Sequence, residues 1–434
     1  MSPINIGIIG FGTVGAGTVE VLTTNRELIA DRLGTELVVK KIADLDLDSD
    51  RGIAVDRAVL TADAEEVLDD PDIDIVVELI GGVAKAGEYI LKAMENGKHV
   101  VTANKALLAE HGGDIYKAAE NAGVSLAFEA SVGGGIPIIG ALRGGLFANR
   151  IETIMGILNG TSNYILTRMT RDGLPYDLAV EDAVRLGFAE DPPDLDVEGT
   201  DAAHKLAILV SIAFGSPVPF DDILQEGITK LTPDDIRFAG EFGYRVKLLA
   251  IAKNTGDGIQ VRVHPAMIPV NHILANVNEA YNAIYLEGDF VGPNLYYGLG
   301  AGRRPTGSAV ASDIMDLARQ IRMGVKNLIP PLAHVRPSPA PVAIQPVEEL
   351  VSAYYFRFSA KDEPGVLSKI AGILGDRRIS ISSVIQKGRS KGSVPIVMLT
   401  HEARERDVRD AISLLAGLDV LTDETITMRV EEGN

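Results

Sequence analysis

A chain of 434 residues, 46% hydrophobic and 23% charged, carries enough apolar side chains to pack two or three domains and does not read as disordered. Its net charge of −19 opposes contact with phosphate backbones, which argues against a nucleic-acid partner. The absence of cysteine excludes disulfides, thiol nucleophiles and cysteine metal sites. Met1-Ser2-Pro3-Ile4-Asn5 shows no basic segment leading into an apolar one, and no uncharged apolar run approaches the roughly 20 residues of a membrane span. The expected location is the cytoplasm.

In chain order, Ile4–Ile9 is a short apolar run ending in glycines, and a helical pattern with Val14, Val21 and Leu22 on one face follows. Further β-like runs lie at Glu36–Ala43, Asp74–Ile80, Lys98–Thr102 and Val124–Glu129, separated by helical stretches such as Lys85–Asn96 and Gly113–Asn121. Strands alternating with helices imply a parallel, doubly wound sheet over about residues 1–130. Gly133-Gly134-Gly135-Ile136-Pro137 breaks the pattern and reads as a hinge. A strand at Ile151–Leu158 opens a second, α+β domain over 131–299, and a helix at Ser308–Met323 returns to the first domain, through about 300–325. The six prolines of Pro330–Pro346 read as an extended linker within 330–350. In 351–434, Tyr354, Phe356 and Phe358 alternate as a strand, and Val366, Leu367, Ile370, Ile373 and Leu374 have helical spacing. Runs at Ile379–Gln386 and Val394–Thr400, a helix at Arg404–Leu415 and a strand at Thr425–Val430 complete a ferredoxin-like βαββαβ order.

Gly10-Phe11-Gly12-Thr13-Val14-Gly15 fits G-x-G-x-x-G between a strand and a helix, the context in which a dinucleotide pyrophosphate meets a helix N-terminus. The second strand ends in Ala43-Asp44-Leu45-Asp46, where a carboxylate can accept from both ribose hydroxyls; a solvated acidic loop would look the same. Two lysines have chemical contexts. Lys105 follows Val101-Thr102-Ala103-Asn104 at the C-terminal end of a parallel strand, the edge at which such sheets bind ligands. Lys205 lies one turn after Asp201 on a helix that continues as Leu206-Ala207-Ile208-Leu209-Val210. So apolar a helix is expected to be buried, and an unused buried pair is costly. His204 reads as a bystander, and no histidine spacing suits a catalytic metal.

Together with the glycine turn, Val101–Lys105, Glu129–Pro137, Gly156–Tyr164, Gly187-Phe188-Ala189-Glu190-Asp191-Pro192 through Lys205, and Gly300-Ala301-Gly302 through Val310 resemble homoserine dehydrogenases. Asp362-Glu363-Pro364-Gly365-Val366-Leu367, followed by Ile379-Ser380-Ile381-Ser382, resembles an ACT domain. The resemblance implies a Rossmann-type dinucleotide domain, an α+β substrate and dimerisation domain, and an ACT regulatory domain. It also implies reversible reduction of L-aspartate 4-semialdehyde to L-homoserine in threonine, methionine and isoleucine biosynthesis. By the same likeness Lys205 is the proton donor and Lys105 a second catalytic lysine. Glu190 holds the substrate ammonium, and Asp196 and Asp201 organise substrate and lysines. Gly10, Gly12, Thr13, Val14, Gly15, Asp44, Thr102, Lys105 and Gly302 contact the cofactor. Glu129, with backbone oxygens of Val132, Gly134 and Ile136, forms a sodium site. Feedback by L-threonine through residues 353–430 and assembly as a homodimer or homotetramer are expected.

Two departures stand out. The family often has a basic residue within the segment Asp44-Leu45-Asp46 that grips the 2′-phosphate of NADP. Leu45 cannot do so, and NAD is therefore the expected preference over NADP. Leu299 replaces a usual proline. Two other classes share some of these features: a related semialdehyde or sugar dehydrogenase, and a non-catalytic amino-acid sensor. Homoserine oxidation assays separate all three.

Overall fold

The computed structural model describes residues 2–189, 191–325, 328–335, 343–386 and 393–432. The chain forms two compact units. The first comprises Met1–Ile154, Asp201–Ile223 and Tyr281–Val342, and the second Met155–Thr200, Leu224–Ala280 and Ala343–Asn434. Among the described residues, no helix is long and apolar enough to cross a membrane.

The first unit opens with β1 (Ile4–Ile9), α1 (Thr13–Thr24), α2 (Arg26–Leu33), β2 (Leu37–Ala43), β3 (Leu60–Thr61) and α3 (Glu65–Leu68). It continues with β4 (Ile75–Glu78), α4 (Ala84–Glu95), β5 (His99–Thr102), α5 (Lys105–Ala122) and β6 (Leu126–Ala127). The strands form a parallel sheet in the order β3-β2-β1-β4-β5-β6. Every residue of β4 and β5 is buried, which is why both strands are almost unbroken apolar runs rather than alternating ones. Strand order reverses between β1 and β4, so a crevice is expected beyond their C-terminal ends. The sequence pattern missed β3 and half of α5. Helix α5 runs through Gly112, where a Cβ would stand 3.0 Å from the Tyr116 ring; the glycine leaves room for that ring instead of ending the helix.

The chain continues through α6 (Ile138–Gly140), β7 (Ile151–Ile157), α7 (Gly160–Asp172), α8 (Tyr176–Arg185), α9 (Asp194–Val197) and α10 (Thr200–Phe214). Then come β8 (Leu224–Gln225), α11 (Pro233–Glu241), β9 (Tyr244–Asn254), β10 (Ile259–Pro269), β11 (Tyr281–Gly288), β12 (Gly292–Leu299) and α12 (Arg303–Met323). Helix α12 returns to the first unit and buries Val310, Ile314 and Leu317 in the core with Ile6, Ile8 and Val19. It crosses α1 at close range, since a Cβ on Gly17 would lie 2.0 Å from the Arg303 carbonyl oxygen.

The C-terminal segment is β13 (Val351–Lys361), α13 (Val366–Asp376), β14 (Ile381–Gln386), β15 (Ser393–Thr400), β16 (Ala403–Arg404), α14 (Glu405–Leu415) and β17 (Ile426–Val430). Tyr354, Phe356 and Phe358 pack beneath α13 and α14, on Val366, Ile370, Leu374, Val408 and Leu415. Its strands run in the order β17-β13-β15-β14, the ferredoxin-like arrangement. Strand β17 also pairs in parallel with β10, through Ala266 with Arg429 and Met267 with Val430. The tail therefore continues the second unit's sheet, β7-β9-β10, with no break at the β10–β17 seam. A linear division separates 131–299 from 351–434; the fold groups large parts of both in one unit. Part of the proline-rich segment, residues 336–342, lies outside the described residues.

Candidate active site

The three glycines after β1 have separate jobs. Gly10 has φ +104°, and a Cβ there would stand 2.6 Å from the Leu79 carbonyl carbon. A Cβ on Gly15 would lie 2.2 Å from the Gly10 carbonyl oxygen. Around Gly12 a Cβ would meet nothing within 4 Å, so backbone here is open to a ligand. Gly12 precedes α1 with no side-chain cap and no acidic residue in the first turn, and Thr13 is exposed, so the helix dipole and N–H groups face outward. Val14 is half-buried beside the core.

Asp44 directly follows β2 and turns back on the glycine turn. Its Oδ2 accepts the Phe11 N–H at 2.5 Å, and its Oδ1 accepts the Asp46 N–H at 2.9 Å. Arg51, which the sequence pattern did not single out, brings Nη2 to 3.8 Å from Asp44 Oδ1 and 3.1 Å from Asp46 Oδ2. Arg303 Nη1 holds the Arg51 carbonyl at 2.7 Å, just after Gly302, whose φ is +122°. Leu45 is 93% exposed.

Lys105 is placed by a chain of bonds from the sheet edge. Glu78, buried at the end of β4, accepts from Thr102 Oγ1 at 2.7 Å and from the Ile80 N–H at 2.8 Å. Burial raises the Glu78 pKa against the pull of these donors. Thr102 Oγ1 accepts the Asn104 N–H at 3.0 Å, and Asn104 Oδ1 caps α5 by accepting the Leu107 N–H at 3.1 Å. Lys105 is the first residue of that helix.

Asp201 joins the two lysines. Its Oδ1 lies 3.0 Å from Lys105 Nζ and its Oδ2 2.7 Å from Lys205 Nζ. Asp201 and Lys205 are 6% and 8% exposed, on a helix buried from Asp201 to Ile212. In the second unit, Asp196 on α9 accepts from Asn159 Nδ2 at 2.6 Å, and its carbonyl accepts from Ser162 Oγ at 2.8 Å. Asn159 also caps α7, accepting the Ser162 N–H at 2.7 Å, a double role visible only once α7 and α9 are together. Glu190 lies outside the described residues.

The proposed cation residues are partly engaged. Glu129 accepts the Ile139 and Gly140 N–H groups at 2.8 and 2.7 Å and so caps α6, while the Ile136 carbonyl accepts the Ile138 N–H at 2.8 Å. Burial raises the pKa of Glu129 and of its neighbour Asp313, with Arg143 opposing. Among the described residues no three His, Asp or Glu side chains gather as a metal cluster, so a cation here would rest largely on backbone oxygens.

A glycine turn at the switch point of a doubly wound sheet, opening onto an exposed helix N-terminus, is the construction of a nicotinamide-dinucleotide-dependent oxidoreductase. The comparisons with known proteins narrow this class. Residues 10–129 match the model of the homoserine dehydrogenase NAD-binding domain, 137–315 that of homoserine dehydrogenase, and 354–419 that of the ACT domain. The homoserine dehydrogenase of Pseudomonas aeruginosa is 47% identical over 100% of both chains. The crystal structure of a homoserine dehydrogenase from Thiobacillus denitrificans superposes with a TM-score of 0.93 at 48% identity, covering 100% of this chain and 99% of that one. A hyperthermophilic archaeal homoserine dehydrogenase solved in complex with NADPH covers 73% of this chain and 98% of its own, at 27% identity and a TM-score of 0.62. The chain belongs to the homoserine dehydrogenase family, with a C-terminal ACT domain.

Proposed function

We propose that this chain catalyses the reversible reduction of L-aspartate 4-semialdehyde to L-homoserine, and that the Lys105–Asp201–Lys205 cluster does its proton chemistry. The observation that carries this is a buried carboxylate, Asp201, within 3.0 Å of both ammonium groups. When bound, the nicotinamide supplies or accepts hydride at the substrate carbon. Lys205 donates the proton that the forming alkoxide needs, and Lys105 lies close enough to share that task. Asp201 fixes both lysines in orientation. Glu190 receives the substrate ammonium, and Asp196, steadied by Asn159, supports the substrate end. In Lys205→Ala protein with an unchanged melting temperature, kcat should fall by roughly 10²-fold or more. A near-wild-type kcat would refute the role.

NAD is the proposed preferred cofactor, because Asp44 can take the ribose hydroxyls while Leu45 offers nothing to a 2′-phosphate. Arg51 beside Asp44 softens the repulsion, so NADP should still turn over. Measuring kcat/KM with each cofactor decides this: a value with NADP at least tenfold above that with NAD would overturn the preference. L-threonine is the proposed inhibitor acting through the ACT domain, on the strength of that domain's presence alone; assays with and without threonine test it. Homodimer or homotetramer assembly is supported by the apolar, exposed Leu295, Tyr297 and Leu299 alternating along β12. Light scattering on purified protein gives the mass. A sodium ion at Glu129 and the backbone oxygens of Val132, Gly134 and Ile136 predicts a higher melting temperature in sodium than in tetramethylammonium salts.

A further inference from the structure

We propose that His204, with Glu110 as its partner, is a positioning residue for the Lys105–Asp201–Lys205 cluster; this rests on the catalytic reading of that cluster given above. Two polar cross-links between α5 and α10 bear on the cluster. One is Lys105 to Asp201 at 3.0 Å, and the other is Glu110 Oε1 to His204 Nε2 at 3.3 Å. Both span the same two helices, with Lys105 and Glu110 on α5 and Asp201, His204 and Lys205 on α10. Lys105 has a long side chain that is 42% exposed, so its own bond cannot by itself hold two helices in one register. The imidazole can, because it is 7% exposed and stacked on Phe220, with ring centroids 4.5 Å apart and planes 25° from parallel. His204 Nε2 is buried without a well-aligned hydrogen bond, which leaves the Glu110 carboxylate as its electrostatic partner.

The charged groups facing the ring are Glu110 and Lys105 from α5 and Asp201 from its own helix; Phe220 contributes none. Burial lowers the His204 pKa, opposed by Glu110 and Asp201 and assisted by Lys105. The ring is therefore neutral at neutral pH. On acidification it becomes a third cation beside the two lysines, attracted to Glu110 and competing for Asp201. The cluster's geometry should then change with the protonation of His204, at a pH below the ordinary histidine value of about 6.5.

The experiment compares His204→Leu, Glu110→Ala and Glu110→Gln with wild-type enzyme in homoserine oxidation from pH 5 to 9. His204→Leu keeps apolar bulk against Phe220. It should lower kcat by about tenfold or more, as a small misplacement of catalytic groups does, while leaving KM for the dinucleotide unchanged. It should also remove the acid limb of the kcat profile that belongs to the imidazole. Glu110→Ala should show the same loss, and Glu110→Gln, which keeps a polar acceptor beside Nε2 but not the charge, should recover part of kcat. Wild-type kcat and an unmoved acid limb in Glu110→Ala would overturn the inference. That side chain is solvent-exposed, so the variant tests the idea even if His204→Leu fails to fold. Lys205→Ala runs alongside: if it stays active, the catalytic reading fails, and if it alone is inactive, only the role of His204 fails.

Discussion

The glycine turn separates folding from binding residue by residue. Gly15→Ala places a methyl group 2.2 Å from the Gly10 carbonyl oxygen and should lower the melting temperature, because backbone must move to admit it. Gly12→Ala meets nothing within 4 Å, at φ −71° and ψ −156°, a conformation open to any residue. It should melt like wild type and yet raise the dinucleotide KM by roughly tenfold, since the methyl group would fill the space proposed for the pyrophosphate. If both variants melt and bind alike, the division of labour is wrong. The close packing at Gly15 was legible from spacing. So was the Asp201–Lys205 pair, because i, i+4 spacing on an apolar helix determines who meets whom. Arg51, Glu78, Asn159 and Glu110 were not legible as site residues: each acquires its meaning from a partner on another element or across a loop.

Among elements, the β10–β17 seam concentrates buried charge. Arg429 on β17 bonds Glu226 at 2.6 and 3.0 Å and Glu405 at 2.6 and 2.9 Å, and is 5% exposed. Arg429→Met should cost about 3–5 kcal/mol in a urea titration, because two carboxylates lose their shared cation. A cost below about 1 kcal/mol, the level of a surface pair, would show that the network is solvated. His264 on β10 is fully buried, and burial, with Arg429 and Arg262, pushes its imidazole down to about 4. The unfolded value is about 6.5, so between pH 6.5 and 4 the unfolded chain binds more protons, and stability is lost as pH falls through that window. Glu405 and Glu431 act further down. Burial opposes their ionisation, but Arg429 and Arg262 hold them at about 2, so they surrender stability as pH drops from 4.5 toward 2. His264→Gln retains an acceptor for Arg262 Nε and should flatten the melting-temperature decline between pH 6.5 and 4 only. An unchanged slope there would remove His264 from the acid response.

For the whole molecule, the tail is part of a sheet and not an appendage. Removing residues 351–434 strips β17 from β10, exposes the strand edge at Ala266 and Met267, and leaves Glu226 and Arg262 without Arg429 and Glu431. The truncated chain should melt lower and self-associate in light scattering. An unaltered melting temperature and particle size would mean that the tail docks loosely. The proposed threonine response is therefore better tested with point variants inside 353–430 than with a deletion.

The sequence by itself determined what depends on neighbours along the chain: the alternation of strands and helices, the glycine turn, the lysine one helical turn from its aspartate, and the βαββαβ order of the tail. Periodicity and spacing encode these because the backbone geometry of a helix or strand converts short intervals into shared faces. Only the tertiary structure decided the rest. It brought Lys105 to the carboxylate that Lys205 already held and set Arg51 beside Asp44. It also tied His204 to Glu110 and joined β17 to β10. Those pairings bring together residues far apart in the chain, and packing rather than local geometry selects them.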